Sequence, residues 1–163
     1  MSMVFYFRRV DADGVAAIVD DEEKLDEFFS GDEKSDDLVD FDVAWHVVHF
    51  LLTGTVEPTG NPLDIILEGY PAIGEGWMEE QTALIPPEAM QQFHIALSAL
   101  SDEELKHRFE RREFVRHDVY NGDLFADEAD GPGWDYIYQG IPGLRRLAEQ
   151  AVAKRSAVLR LLM

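Results

Sequence analysis

The sequence predicts an α/β domain in which helices layer around a small sheet, and three observations carry that reading. Helical stretches with an apolar face dominate the chain, and short runs rich in Val, Phe, Leu and Ile lie between them. Residues 42–54 (DVAWHVVHFLLTG) are apolar almost all the way round, the pattern of a helix enclosed by other layers. The 163 residues are 46% apolar, with ten Phe, three Trp and five Tyr, and no repeat, linker or low-complexity tract divides them. A chain of this length buries roughly 70% of its unfolded surface in one core, so residues 1–163 are expected to form a single domain.

Residues 3–10 are rich in Val, Phe and Tyr and read as an opening strand. Asp11 stands as an N-cap for a short helix over 14–19, and 20–29 form a second, strongly acidic helical piece. The polar stretch 30–37 (SGDEKSDD) is an exposed loop and helix entrance, and the apolar helix ends at Gly54, well placed as a C-terminal cap. Pro58, Gly60, Asn61 and Pro62 break the chain over 55–62, and 63–67 are too short for periodicity to choose between strand and helical turn. A loop rich in Gly and Pro, 69–76 (GYPAIGEG), precedes Trp77, and 81–85 (QTALI) read as a strand. Pro86-Pro87 open a helix with Glu88 in its first turn and Met90, Phe93 and Leu97 along it. Ser101-Asp102-Glu103-Glu104 have the pattern of a capping box at the start of a further helix. Residues 121–135 read as a second acidic loop. Residues 134–154 are helical with a kink or break at Gly140 and Pro142-Gly143, and 157–163 (AVLRLLM) form a final strand.

Thirty-three Asp and Glu against fourteen Lys and Arg leave a net charge of −19. Such a field repels phosphate backbones and anionic bilayers, so neither nucleic acid nor membrane is an expected partner, and a basic protein or a cation is favoured. The acidity also fits a solvated face that maintains solubility, or a salt-adapted host, since Arg outnumbers Lys ten to four. No Lys or Arg occurs between Ser35 and Leu105, and ten of the fourteen lie from Lys106 onward. The absence of cysteine excludes disulfides, thiolate metal sites and cysteine nucleophiles. The longest strongly apolar run, 47–52, falls far short of the ~20 residues that span a bilayer. The opening MSMVFYFRRV places its Arg pair after the apolar residues, so no secretory signal is read there and a cytoplasmic location is expected.

On a helix over 42–54, Asp42, His46, His49 and Thr53 fall within about 60° of one another and form the one polar stripe. Three readings of the stripe stand open. The protein's own backbone can satisfy these groups, because an unpaired buried polar group costs about 1–3 kcal/mol. The stripe can line a ligand or acid–base pocket, with His49 as the titrating group. Lastly, His46 and His49, at i and i+3, can share a metal ion with Asp42 orienting His46, although no third ligand is signalled nearby and the His-Glu-x-x-His signature is absent. No metal or cofactor is therefore expected.

Trp45 reads as a core anchor, and the Thr53 hydroxyl is expected to bond back to the carbonyl four residues earlier. Residues 69–77, with Tyr70, Gly74, Gly76 and Trp77, lack the order of a phosphate loop and read as core cover or pocket wall. Lys106, Arg108, Arg111, Arg112 and Arg116 interleave with Glu110 and Glu113, and pairing with the protein's own acids is the expected use. No nucleophile-elbow sequence supports a serine hydrolase.

Several of these pieces together resemble the YfbM-like family of bacterial domains of unknown function, domain-of-unknown-function family 1877. They are the M-x-M-V start, WHVVHFLLTG, the Gly-Tyr-Pro loop, the Pro-Pro-Glu helix start, Val119-Tyr120, and the closing helix with AVLRLLM. The most specific part is Trp45-x-x-x-His49-Phe50-x-Leu52-Thr53-Gly54. The resemblance covers essentially the whole chain. It implies a compact single domain, a three-layer α-β-α arrangement with a small mixed sheet and a central buried helix, and supplies no assigned activity.

Two functional expectations follow. The first is a non-enzymatic binding or interaction module whose acidic face engages a basic protein partner, an immunity-type protein being one concrete form. The alternative is a small enzyme or ligand-binding domain with a pocket lined by Asp42, His46, His49 and Thr53, with Tyr70 and Trp77 nearby.

Overall fold

In the computed structural model, which describes residues 3–21, 23–30, 37–73, 82–126 and 131–162, four strands form one sheet. They are β1 (Phe5–Val10), β2 (Leu38–Asp42), β3 (Thr82–Ile85) and β4 (Ala157–Leu162), in the order β2-β1-β4-β3. Every pairing is antiparallel, where the sequence reading has a mixed sheet. The cause is visible at β1 and β2. Two helices, α1 (Ala12–Asp20) and α2 (Glu23–Ser30), leave the end of β1 and return to that same end, where the Arg9 N–H donates to the Asp37 carbonyl at 2.9 Å. The chain then runs back alongside β1.

Side chains alternate across the pleat, so the sheet feeds two cores, one on each face. Phe5, Phe7, Val39, Phe41, Ile85 and Val158 enter the larger one. That core is completed by α3 (Trp45–Thr53), α4 (Pro87–Ser98), α5 (Asp102–Arg108), α6 (Arg111–Arg116), α7 (Gly122–Ala126), α8 (Pro132–Tyr138) and α9 (Ile141–Ala153). Val10, Ala157 and Leu159 face the other way and meet Ile18 of α1, with Phe29 of α2 packed against them. The α-β-α layering of the sequence reading is therefore present. Helix α3 is its central buried helix, with Trp45 and 47–52 all buried.

Local signals act as their residue types dictate. The Asp11 carboxylate accepts the Gly14 N–H at 2.7 Å and starts α1. Ser101 and Glu104 form the complete capping box of α5. Gly54 closes α3 in the left-handed region at φ +78°, which glycine adopts without a Cβ clash.

Some expectations shift. Residues 38–42 form β2 and not the approach to a helix, so α3 begins three residues later than the 42–54 reading. Asp42 ends the strand at φ +47°, and that left-handed turn separates strand from helix. Residues 63–67 are neither strand nor helix but bends and turns. The expected loop over 121–135 contains α7 and the start of α8, and the expected break in 134–154 falls between α8 and α9, at Gly140. Gly74, Gly76, Trp77 and Gln81 lie outside the described residues.

Candidate functional site

Helix α3 carries His46, His49 and Thr53 along one side, facing the irregular segment 55–70. The half-buried His46 bridges two other parts of the chain. Its Nδ1 accepts the Tyr120 N–H at 2.8 Å, which leaves the ring proton on Nε2, and Nε2–H donates to the Val56 carbonyl at 3.0 Å. Both nitrogens are used.

His49 is fully buried. Its Nε2 lies 3.2 Å from the Glu57 carbonyl oxygen and 3.3 Å from the Thr53 hydroxyl. Its Nδ1 makes no hydrogen bond and sits 3.5 Å from Oδ1 of Asp64, which is also fully buried. Burial pushes the His49 pKa below the ordinary histidine value and outweighs the nearby Asp64 charge, which acts to raise it. Thr53 donates its hydroxyl to the His49 carbonyl at 2.9 Å, the back-bond expected of it.

Asp64 organises the segment on the far side. Oδ1 accepts the N–H groups of Leu67 and Glu68 at 3.0 and 3.1 Å, and Oδ2 accepts that of Thr59 at 2.7 Å. Arg160 of β4 reaches the same segment, donating through one nitrogen to the carbonyls of Ile65 at 3.0 Å and Glu68 at 2.7 Å. The guanidinium lies 5.3 Å from the ring centre of Tyr70. Burial raises the Tyr70 phenol to about 12, so it stays neutral there.

Of the sequence-stripe residues, the structure brings together His46, His49 and Thr53. Asp42 stands apart on β2, where its carboxylate accepts the Tyr136 hydroxyl at 2.6 Å. Tyr70 joins the group through Arg160, and Trp77 is outside the described residues. Asp64, Arg160 and Tyr120 complete the network, and the sequence reading assigns none of them to the site. The signal for the first two is a lone charge inside an apolar run, in PLDIIL and AVLRLLM.

At the C-terminal end of α3, Thr53 and Gly54 line an open cleft of about 300 Å³ with Phe50, His107, Arg108, Glu110 and Glu113. Arg108 is directed to main-chain oxygens, donating to the carbonyls of Leu51 at 3.0 Å and Leu52 at 3.3 Å at the negative end of the α3 dipole. Arg116 lies 3.6 Å from Glu113. Among the described residues no group of three or more His, Asp or Glu side chains is placed to hold a metal ion, and no helix is long and apolar enough to cross a membrane.

A family model, the domain of unknown function DUF1877, matches residues 1–161. The chain belongs to the DUF1877 family. Its similarity to Protein YfbM of Escherichia coli strain K12 is 26% identity over 147 residues, which cover 80% of each chain. The crystal structure of a protein of unknown function, YfbM from Escherichia coli, superposes with a TM-score of 0.71 at 20% identity. The match covers 98% of this chain and 99% of that one, so this DUF1877 chain and YfbM share one fold across their whole lengths.

Proposed function

We propose that this DUF1877 domain is a non-enzymatic interaction module whose acidic surface engages a basic protein partner, in the manner of an immunity-type protein. One observation carries the reading: His46 and His49 of the α3 stripe both face the protein's own groups. A catalytic acid or base must present a free proton or lone pair to its substrate. Both nitrogens of His46 are bonded to main chain, and His49 has no exposed surface.

Function then falls to the surface, and the acidic stretch over α1 and α2 supports that choice. Residues 11–30, which hold α1 and α2, contain eight Asp and Glu and a single Lys. Asp13, Asp20, Glu23 and Glu27 are exposed there beside Val19, an apolar side chain left 66% exposed. An acidic rim of this kind speeds encounter with a cationic partner and rejects anionic ones. Among the described residues, the second reading, a ligand-binding or enzymatic domain, draws support from the Thr53 cleft with His107, Arg108, Glu110 and Glu113.

The test is affinity capture with the wild-type protein and with a variant carrying Asp13→Asn, Asp20→Asn, Glu23→Gln and Glu27→Gln, at low and moderate salt. Capture of a Lys- and Arg-rich protein, weakened by salt and by the four substitutions, is the expected outcome. Recovery of no partner at either salt, or equal recovery by the variant, overturns the proposal.

A further inference from the structure

We infer that His49 and Asp64 form an acid-sensitive latch, which holds segment 55–70 against α3 at neutral pH and releases it as pH falls. The argument begins with the valence of the ring. A neutral imidazole has one N–H, whereas the two nitrogens of His49 each face an acceptor, the Glu57 carbonyl at 3.2 Å and Asp64 Oδ1 at 3.5 Å. With the proton on Nε2, the bare Nδ1 confronts the carboxylate and makes no hydrogen bond. The neutral latch is thus one donor short, and the segment is held instead by Val56 on His46 of α3 and by Arg160 of β4 on two carbonyls, while Asp64 ties three N–H groups within the segment itself.

A second proton on His49 would supply that donor, but only by placing an imidazolium where water has no access, since both side chains have no exposed surface. The charged groups around it do not make that site welcoming. On its own helix the neighbour is His46, whose ring centre is 6.1 Å away. From the segment come Asp64, with Glu68 and Tyr70 beyond it, and from β4 comes Arg160, a cation that already interacts with Asp64, Glu68 and Tyr70. One carboxylate at contact distance, shared with a guanidinium, faces the full desolvation of a new charge. Burial accordingly holds the ring's pKa below its ordinary value. An exposed ring takes the proton more readily than the buried one, so acid favours the conformation in which segment 55–70 has lifted and the stripe on α3 is uncovered. The device is independent of the acidic surface on α1 and α2.

Hydrogen exchange read residue by residue by NMR tests this on the intact protein. Between pH 7.5 and 5.5, after correction for intrinsic rates, protection at Leu67 and Glu68 is expected to fall by as much as about tenfold per pH unit, the limit for one linked proton. Protection at Phe7 and Leu159 in the sheet should hold, and His49→Gln, which keeps a donor for the Glu57 carbonyl but does not titrate, should abolish the fall. Unchanged protection in the wild type, an equal loss in the sheet, or the same fall in His49→Gln overturns the latch. Should that variant not fold, the His49 ring resonances of the wild type decide. A midpoint below 6.5 that tracks the loss at Leu67 supports the latch, and a midpoint at or above 6.5 rejects it.

Discussion

The main-chain N–H of Tyr120 donates to Nδ1 of His46 across 2.8 Å, joining α3 to a turn 74 residues later in the chain. The turn is shaped for that contact by two left-handed residues, Asp118 at φ +52° and Asn121 at φ +57°, residue types that tolerate this region better than most. Asn121 adds a bond to the Val43 carbonyl at 3.3 Å, and the Tyr120 ring stacks on Trp45 with centres 5.4 Å apart. His46 therefore fastens three segments to one another, since its other nitrogen holds Val56.

His46→Phe keeps a ring of similar breadth and removes both bonds. The Tyr120 N–H and the Val56 carbonyl then lose their partners, and a destabilisation of about 2–4 kcal/mol is expected in urea unfolding. A loss under about 1 kcal/mol would mean that water replaces both bonds and that the stripe is hydrated. Long-range nitrogen–proton NMR of the wild type should find the His46 proton on Nε2.

Asp64 satisfies three main-chain N–H groups by itself, which is more than any other side chain of the network. Asp64→Ala leaves all three without their acceptor in a turn that has no regular secondary structure to recover them. A loss of at least about 3 kcal/mol follows. Asp64→Asn retains one oxygen and turns an amide donor toward another donor, so a smaller loss of about 2 kcal/mol is expected. The ordering of the two variants, read from chemical denaturation midpoints, is the check, and Asn proving as costly as Ala would remove the acceptor argument.

These two residues also show what the sequence makes legible and what it does not. The apolar girth of α3, its Gly54 cap and the back-bond of Thr53 are local matters, readable from residue types a few positions apart. Strand β2 is hidden because LVDFD is five residues long and Phe41 lies four positions before Trp45, which extends the helical pattern backwards. The left-handed turn at Asp42 that ends that pattern has no signature in the residue type alone. Asp64 and Arg160 bond to main-chain groups, and periodicity carries no information about a carbonyl or an N–H. The same holds for His46 and Tyr120, whose sequence separation exceeds any local rule.

A pH prediction rests on Arg9 and Asp37, which tie β1 to the start of β2 through a two-pronged pair at 2.8 and 3.0 Å. The hydrogen bond from Arg9 holds the Asp37 carboxyl below its ordinary value. A depressed folded-state pKa contributes stability that is present above the unfolded value near 3.8 and is lost as pH falls through the folded one. Part of the acid-side loss of stability below about pH 4 should therefore vanish in Arg9→Met. Unfolding midpoints measured from pH 7 to 3 supply the comparison, and parallel curves for the two proteins would count against the pair.

The glycines offer a test of packing that does not involve the polar network. A Cβ on Gly140 would stand 2.6 and 2.8 Å from two ring carbons of Phe41, a fully packed side chain of the larger core. A Cβ on Gly122 would meet Phe114 at 2.9 Å from its Cβ and 3.1 Å from its carbonyl oxygen, and the oxygen belongs to the backbone and cannot swing aside. Gly143 is different, because its nearest neighbour would be Val39 Cγ2 at 3.6 Å, an ordinary contact within the first turn of α9. Gly122→Ala and Gly140→Ala are expected to lose about 1–3 kcal/mol through overpacking. Gly143→Ala should be neutral or gain about 0.5–1 kcal/mol, since alanine restricts the unfolded chain and favours the helix. Thermal unfolding resolves the three, at about 2–4 °C per kcal/mol for a chain of this size. A Gly140→Ala protein melting with Gly143→Ala would show that the Phe41 ring yields, and that the α9–β2 contact is looser than the distances state.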